Sequence, residues 1–102
     1  MPITRRQFEL GIDSDVEALM GRIAAFLEGR WEEAFTPAEI WAECCGPEPL
    51  KGSAVYPVGA DEVRFFYTLQ RLVDLGVVGE RELGHDQYFA AAHVPLGVAL
   101  SS

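Results

Sequence analysis

Arg64 and Arg71 are seven residues apart, two turns of a helix, with Tyr67 between them. Guanidinium forks suit phosphate oxygens or the acceptor edge of guanine, and a phenol adds one more hydrogen bond. Arg81, Lys51 and His85 are further groups able to touch phosphate. The same spacing also describes a solvated helix face whose arginines pair with Asp61, Glu62 or Asp74. A second constellation is anionic. Glu28, Glu32 and Glu33 read as a docking surface for a basic partner, as carboxylates for acid–base work, or as a solvated helix end.

Cys44, Cys45, His85 and His93 are the candidate metal ligands. Structural zinc needs pairs spaced to close a tetrahedron, and adjacent cysteines with isolated histidines do not supply them. No Gly-rich phosphate loop and no nucleophile beside a base is visible. The expectation is a protein that is not an enzyme and carries neither metal nor cofactor. Cys44 follows Ile40 by one turn and belongs to the core side, with Cys45 its partly exposed neighbour.

These groups sit in a chain of 102 residues with 16 Asp or Glu against 8 Lys or Arg, a net charge of −8, and 49% hydrophobic residues. That size suits one domain, and this much apolar surface can offset the ordering entropy that keeps polar chains disordered. The acidity excludes a sequence-blind nucleic-acid coat protein, whose affinity comes from clustered cations. The charge is uneven. Residues 1–8 hold Arg5 and Arg6, residues 9–48 hold ten acids against Arg22 and Arg30, and from residue 49 six acids face Lys51, Arg64, Arg71 and Arg81. The deficit belongs to the first half, and exposed charges more than about 8 Å apart are largely screened at physiological salt. A nucleic-acid contact by the second half therefore stays open. No apolar run approaches the roughly 20 residues of a membrane span, no apolar leader follows Arg5-Arg6, and adjacent cysteines suit a reducing compartment. A cytoplasmic location is the expectation.

Residues 1–13 form an N-terminal arm of weak pattern, a short helix or an extended segment. Ser14 with Glu17 predicts a capping box, and Val16, Leu19, Met20, Ile23, Phe26 and Leu27 make one apolar stripe of a helix over Asp15–Glu28 that Gly29 stops. Thr36-Pro37-Ala38-Glu39 predicts a second helix start, with Ile40, Trp41 and Cys44 turned inward and Gly46-Pro47 ending it. Trp31 and Phe35, in the connection, cover the core. The Pro- and Gly-rich stretch 46–60 reads as a long loop with one short extended segment, Ser53–Tyr56. Asp61 opens a helix to about Leu75, with Phe65, Phe66, Leu69, Leu72 and Val73 on its apolar face and Arg64, Tyr67, Arg71 and Asp74 opposite. Gly76 ends it, and two β-compatible runs around Gly84-His85-Asp86 predict a hairpin. The core thus spans 14–91, and the apolar tail 92–102 is free to cover a partner subunit.

The stretch Leu72-Val73-Asp74-Leu75-Gly76-Val77-Val78-Gly79-Glu80-Arg81-Glu82-Leu83, followed by Gln87-Tyr88-Phe89, resembles the recognition-helix exit and wing of bacterial winged-helix regulators. The families in point are the multiple-antibiotic-resistance (MarR), PadR and ferric-uptake regulators. Phe35-Thr36-Pro37-Ala38-Glu39-Ile40 is similar to the start of their second helix. The resemblance covers Asp15–Ala91 and implies a winged helix-turn-helix: mainly α, with a three-helix core and a small antiparallel β-hairpin. It implies a small DNA-binding transcriptional regulator, a homodimer on double-stranded DNA. The helix over 61–75 would enter the major groove and the wing would touch the backbone. The contacts would be Arg64, Tyr67, Arg71, Arg81, Lys51 and His85. Two features depart from the family: the 46–60 loop replaces a turn of about 3–4 residues, and the outward helix face is poor in Ser, Thr and Arg. The same scaffold also docks proteins. The alternative expectation is a winged-helix protein-interaction module, an acidic adaptor or inhibitor that meets a basic protein through Glu28, Glu32 and Glu33.

Overall fold

The computed structural model describes residues 4–92, without the side chain of Leu10, so His93 and the tail Val94–Leu100 lie outside the described residues. Within them the chain is a mixed α+β arrangement, four helices followed by a two-stranded antiparallel hairpin. In order these are α1 (Arg5–Leu10), α2 (Ser14–Gly29), α3 (Pro37–Cys44), α4 (Gly59–Asp74), β1 (Val78–Leu83) and β2 (Asp86–Ala91).

The weakly patterned N-terminus is helical because its ends are capped. The Thr4 hydroxyl accepts the Gln7 N–H, the Gln7 side chain accepts the Thr4 N–H, and Gly11 closes the helix at φ 72°. The buried Gln7 amide also donates to Ser14 Oγ at 3.2 Å and Glu17 Oε2 at 3.0 Å, tying α1 to the first turn of α2. That use of Ser14 and Glu17 corrects the expected capping box. The N-cap is Asp13, whose carboxylate accepts the Val16 N–H at 2.8 Å. Gly29 is also not the stop: it is the last helical residue, and the chain leaves the helix at Arg30. At α3 the expected signals hold, with Thr36 and Glu39 capping reciprocally and Pro37 in the first turn.

The periodic apolar positions meet in one core: Leu19, Ile23 and Leu27 of α2, Ile40 of α3, Phe65, Leu69 and Leu72 of α4, and Val78 and Phe89 of the hairpin. Phe65 is its centre, fully buried, with the Trp41 ring edge-on at 5.2 Å. Gly76, at φ 76°, lets Val77 N–H reach the Leu72 carbonyl at 3.0 Å and turns the chain into β1. The register from Val78↔Ala91 to Leu83↔Asp86 leaves a two-residue turn, Gly84-His85, with positive φ at Gly84 alone, the pattern of a type II′ turn. Phe35 exchanges both backbone hydrogen bonds with Phe89 at 2.8 Å, so the α2–α3 connection lays one residue against β2. Its ring sits 4.8 Å from Phe26, inside the apolar cluster. No helix among the described residues is long and apolar enough to cross a membrane.

Candidate functional site

The faces of α4 follow from its 3.6-residue period. Glu62, Phe65, Thr68, Leu69 and Leu72 are buried, while Val63, Tyr67, Gln70 and Asp74 are exposed. Arg64 and Arg71 flank the exposed strip, with side chains 39% and 28% exposed. Arg64 pairs with Asp61 at 3.4 Å and with Asp15 of α2 at 4.0 Å, and Arg71 pairs with Asp74 at 3.7 Å. The Tyr67 hydroxyl donates to the Gly11 carbonyl. The structure thus brings the three expected groups onto one side of a helix and engages each with an acceptor. Arg64 also borders an open cavity of about 650 Å³ between α2, the end of α3 and the start of α4, together with Asp15, Asp61 and Arg22. Glu48 lines it as well, so three acids face two arginines.

The other expected contacts lie on other elements. Lys51 is exposed in the α3–α4 loop, Arg81 on β1 opposite Tyr88, and His85 at the hairpin turn. Glu28 lies in the last turn of α2, and Glu32 and Glu33 follow the helix, all three exposed. Their negative charge adds to the carbonyl end of the helix dipole. Glu33 bonds Arg30 at 2.8 Å, and that hydrogen bond and charge raise the Arg30 pKa further.

The cysteines stay thiols. Burial, with the neighbouring Cys45 and Glu43 and against Arg22, pushes Cys44 up to about 11, and burial raises Cys45 as well. Neither is an activated nucleophile at neutral pH. Among the described residues no three His, Cys, Asp or Glu side chains converge on a point that could hold a metal ion.

Glu62, expected as a partner for the arginines of a solvated helix face, instead organises the α3–α4 loop. Only 4% exposed, its carboxylate accepts the N–H groups of Lys51 at 2.9 Å, Gly52 at 2.8 Å and Val58 at 2.9 Å. Burial opposes its ionisation, but the three N–H donors and the Lys51 charge outweigh it and hold its pKa below the ordinary value. α4 consequently begins at Gly59, two residues before the expected Asp61, with Val58 as an N-cap that has no capping side chain. Gly52 is pinned inside this clamp: a Cβ there would lie 2.5 Å from the Tyr56 carbonyl oxygen and 2.6 Å from Glu62 Oε1.

The expected extended segment Ser53–Tyr56 is instead a tight turn. Ser53 N–H donates to the Tyr56 carbonyl at 3.1 Å, and Tyr56 N–H donates to Ser53 Oγ at 3.2 Å. Closing the turn leaves Val55 75% and Tyr56 79% exposed. Sequence reasoning missed both Glu62 and this turn. The local signal pointed elsewhere: Asp61 offers an ordinary helix start, and nothing within a few residues marks Val58 as the N-cap or Glu62 as the acceptor for the free N–H groups. No protein-family model, no curated protein and no solved structure matches this chain.

Proposed function

We propose that this chain is a winged-helix protein-interaction module, an acidic adaptor that meets a basic protein surface. The winged-helix reading is supported by the order of α2, α3, α4 and hairpin, and by the Phe35–Phe89 bridge, a one-residue strand between the first two of those helices. The observation that carries the functional reading is the outward strip of α4. A DNA-reading helix offers the major groove donors and cations. This strip offers Val63, Tyr67, Gln70 and Asp74, and the flanking arginines are already matched by Asp61, Asp15 and Asp74. Groove insertion would bring those carboxylates toward phosphate, a like-charge cost that specific contacts would have to offset.

Binding of double-stranded DNA, the competing reading, is favoured by the exposed Arg81 and His85 on the hairpin. Titration of labelled duplex DNA at low salt separates the two. The expected result is no saturable binding. Saturable binding that Arg64→Ala and Arg71→Ala abolish would overturn the adaptor reading and restore the regulator.

A further inference from the structure

We infer that the turn Ser53–Tyr56 and the cavity at its base are the docking site for a partner segment in which an apolar residue adjoins a lysine or arginine. The apolar residue would pack on Val55 and Tyr56, and the cation would enter the cavity. The inference rests on the interaction reading above and adds where that contact is made and with what chemistry.

Single exposed apolar side chains are ordinary on any surface. Here Val55, Tyr56, Val58 and Val63 are all more than half exposed within the loop and the first turns of α4. They are held by an ordered scaffold. Glu62 takes the N–H groups of Lys51, Gly52 and Val58, Ser53 and Tyr56 close the turn on each other, and the space around Gly52 admits no side chain. A turn so constrained has lost its conformational freedom during folding, so little remains to be lost on binding. A tyrosine at its tip supplies a large, stiff contact with a polar end, the residue type enriched at interface hot spots.

The base of the turn selects the charge. A cavity of about 170 Å³ there is bordered by Trp41, Pro49 and Val58 and by the acidic residues Glu48 and Asp61. Glu62 also borders it, but its carboxylate is occupied by three backbone donors. Trp41 is fixed by donating Nε1–H to the Glu48 carbonyl at 2.7 Å. Against these acids stand Lys51 and, 3.4 Å from Asp61, Arg64, so the rim stays net negative by one charge when Glu62 is counted, and it carries an aromatic ring, an environment for a guanidinium or ammonium group. A second copy of the chain is the poorer occupant, because two molecules of charge −8 repel and their acidic rims would meet.

The test uses a random-peptide display library panned on the intact chain, followed by affinity measurements on the enriched peptides. The expected peptides carry Lys or Arg next to an aromatic or branched apolar residue. Their affinity falls at least tenfold for Val55→Ser/Tyr56→Ser and for Glu48→Gln/Asp61→Asn, and is unchanged for Glu28→Gln/Glu32→Gln. Both site variants alter exposed side chains and keep the wild-type circular-dichroism melt, and each tests one half of the site if the other misfolds. Enriched peptides that ignore both site variants but are lost on Glu28→Gln/Glu32→Gln overturn the inference and leave the interaction reading standing. A selection that yields no such peptide also overturns it. If duplex DNA then binds through Arg64 and Arg71, the interaction reading falls too.

Discussion

α3 and α4 both follow irregular chain, yet their first turns are held by opposite means. At α3 the cap is local: Thr36 and Glu39, three residues apart and solvent-accessible, exchange bonds with each other's backbone. At α4 the acceptor is a buried carboxylate four residues inside the N-cap, and it gathers donors from Val58 and from Lys51 and Gly52 across the loop. The first device secures one turn of helix. The second makes helix and loop a single unit, so the loop cannot move without stripping acceptors from three N–H groups. A first-turn glutamate is therefore accessory or structural according to how many donors converge on it and whether water can replace it.

The contrast can be broken most severely at Glu62. Glu62→Ala leaves three N–H groups without their acceptor, and the melting temperature is expected to fall further than for any other change named here. Hydrogen exchange should accelerate at Lys51, Gly52 and Val58. A melt equal to that of Thr36→Ala would erase the distinction. Acid should act on the same point in the unaltered chain. The folded pKa of Glu62 lies below its unfolded value, so its contribution is complete above the ordinary carboxylate range and is lost as pH falls through the folded value. The acid limb of a stability–pH curve is thus expected to be shallower in Glu62→Ala.

Gly52→Ala comes next, at about 1–3 kcal/mol in denaturant unfolding, the usual cost of forcing a methyl group into filled space. The atoms in its way are the Tyr56 carbonyl and the carboxylate itself. Thr36→Ala removes only a local cap and is expected to cost about 1 kcal/mol, read as a fall of roughly 4–8 °C in a domain of this size. Glu39→Gln is the smallest, within about 0.5 kcal/mol, because glutamine serves equally in a capping box. The corresponding change at Glu62 should not be silent. Both carboxylate oxygens accept there, and an amide would set its NH₂ against a backbone N–H.

The same contrast divides what could be read in advance. Core positions with a regular period were legible: Val16, Leu19, Ile23 and Leu27 on α2, and Phe65, Leu69 and Leu72 on α4, are buried as spacing alone implies. So were the Thr36 cap and the hairpin, whose signals lie within a few residues. At α2 two adjacent capping residues competed, and Asp13 took the role because Ser14 and Glu17 receive the Gln7 amide. The side on which Arg64, Tyr67 and Arg71 fall was legible too, but two of their partners were not. Asp15 and Gly11 come from the other half of the chain, and no period or local motif connects them to α4. The Glu62 clamp escaped for the same reason, since its donors depend on a loop path that composition does not encode.

The Phe35–Phe89 bridge joins residues more than half the chain apart through two backbone bonds. It closes a circuit that contains α3, the clamped loop, α4 and the hairpin turn. Closing such a circuit is entropically slow, so the bridge belongs to the late events of folding. Once formed, it makes the two phenylalanine amides sentinels of the whole domain: the hairpin tip can fray alone, but these two can meet solvent only when the hairpin parts from the helices.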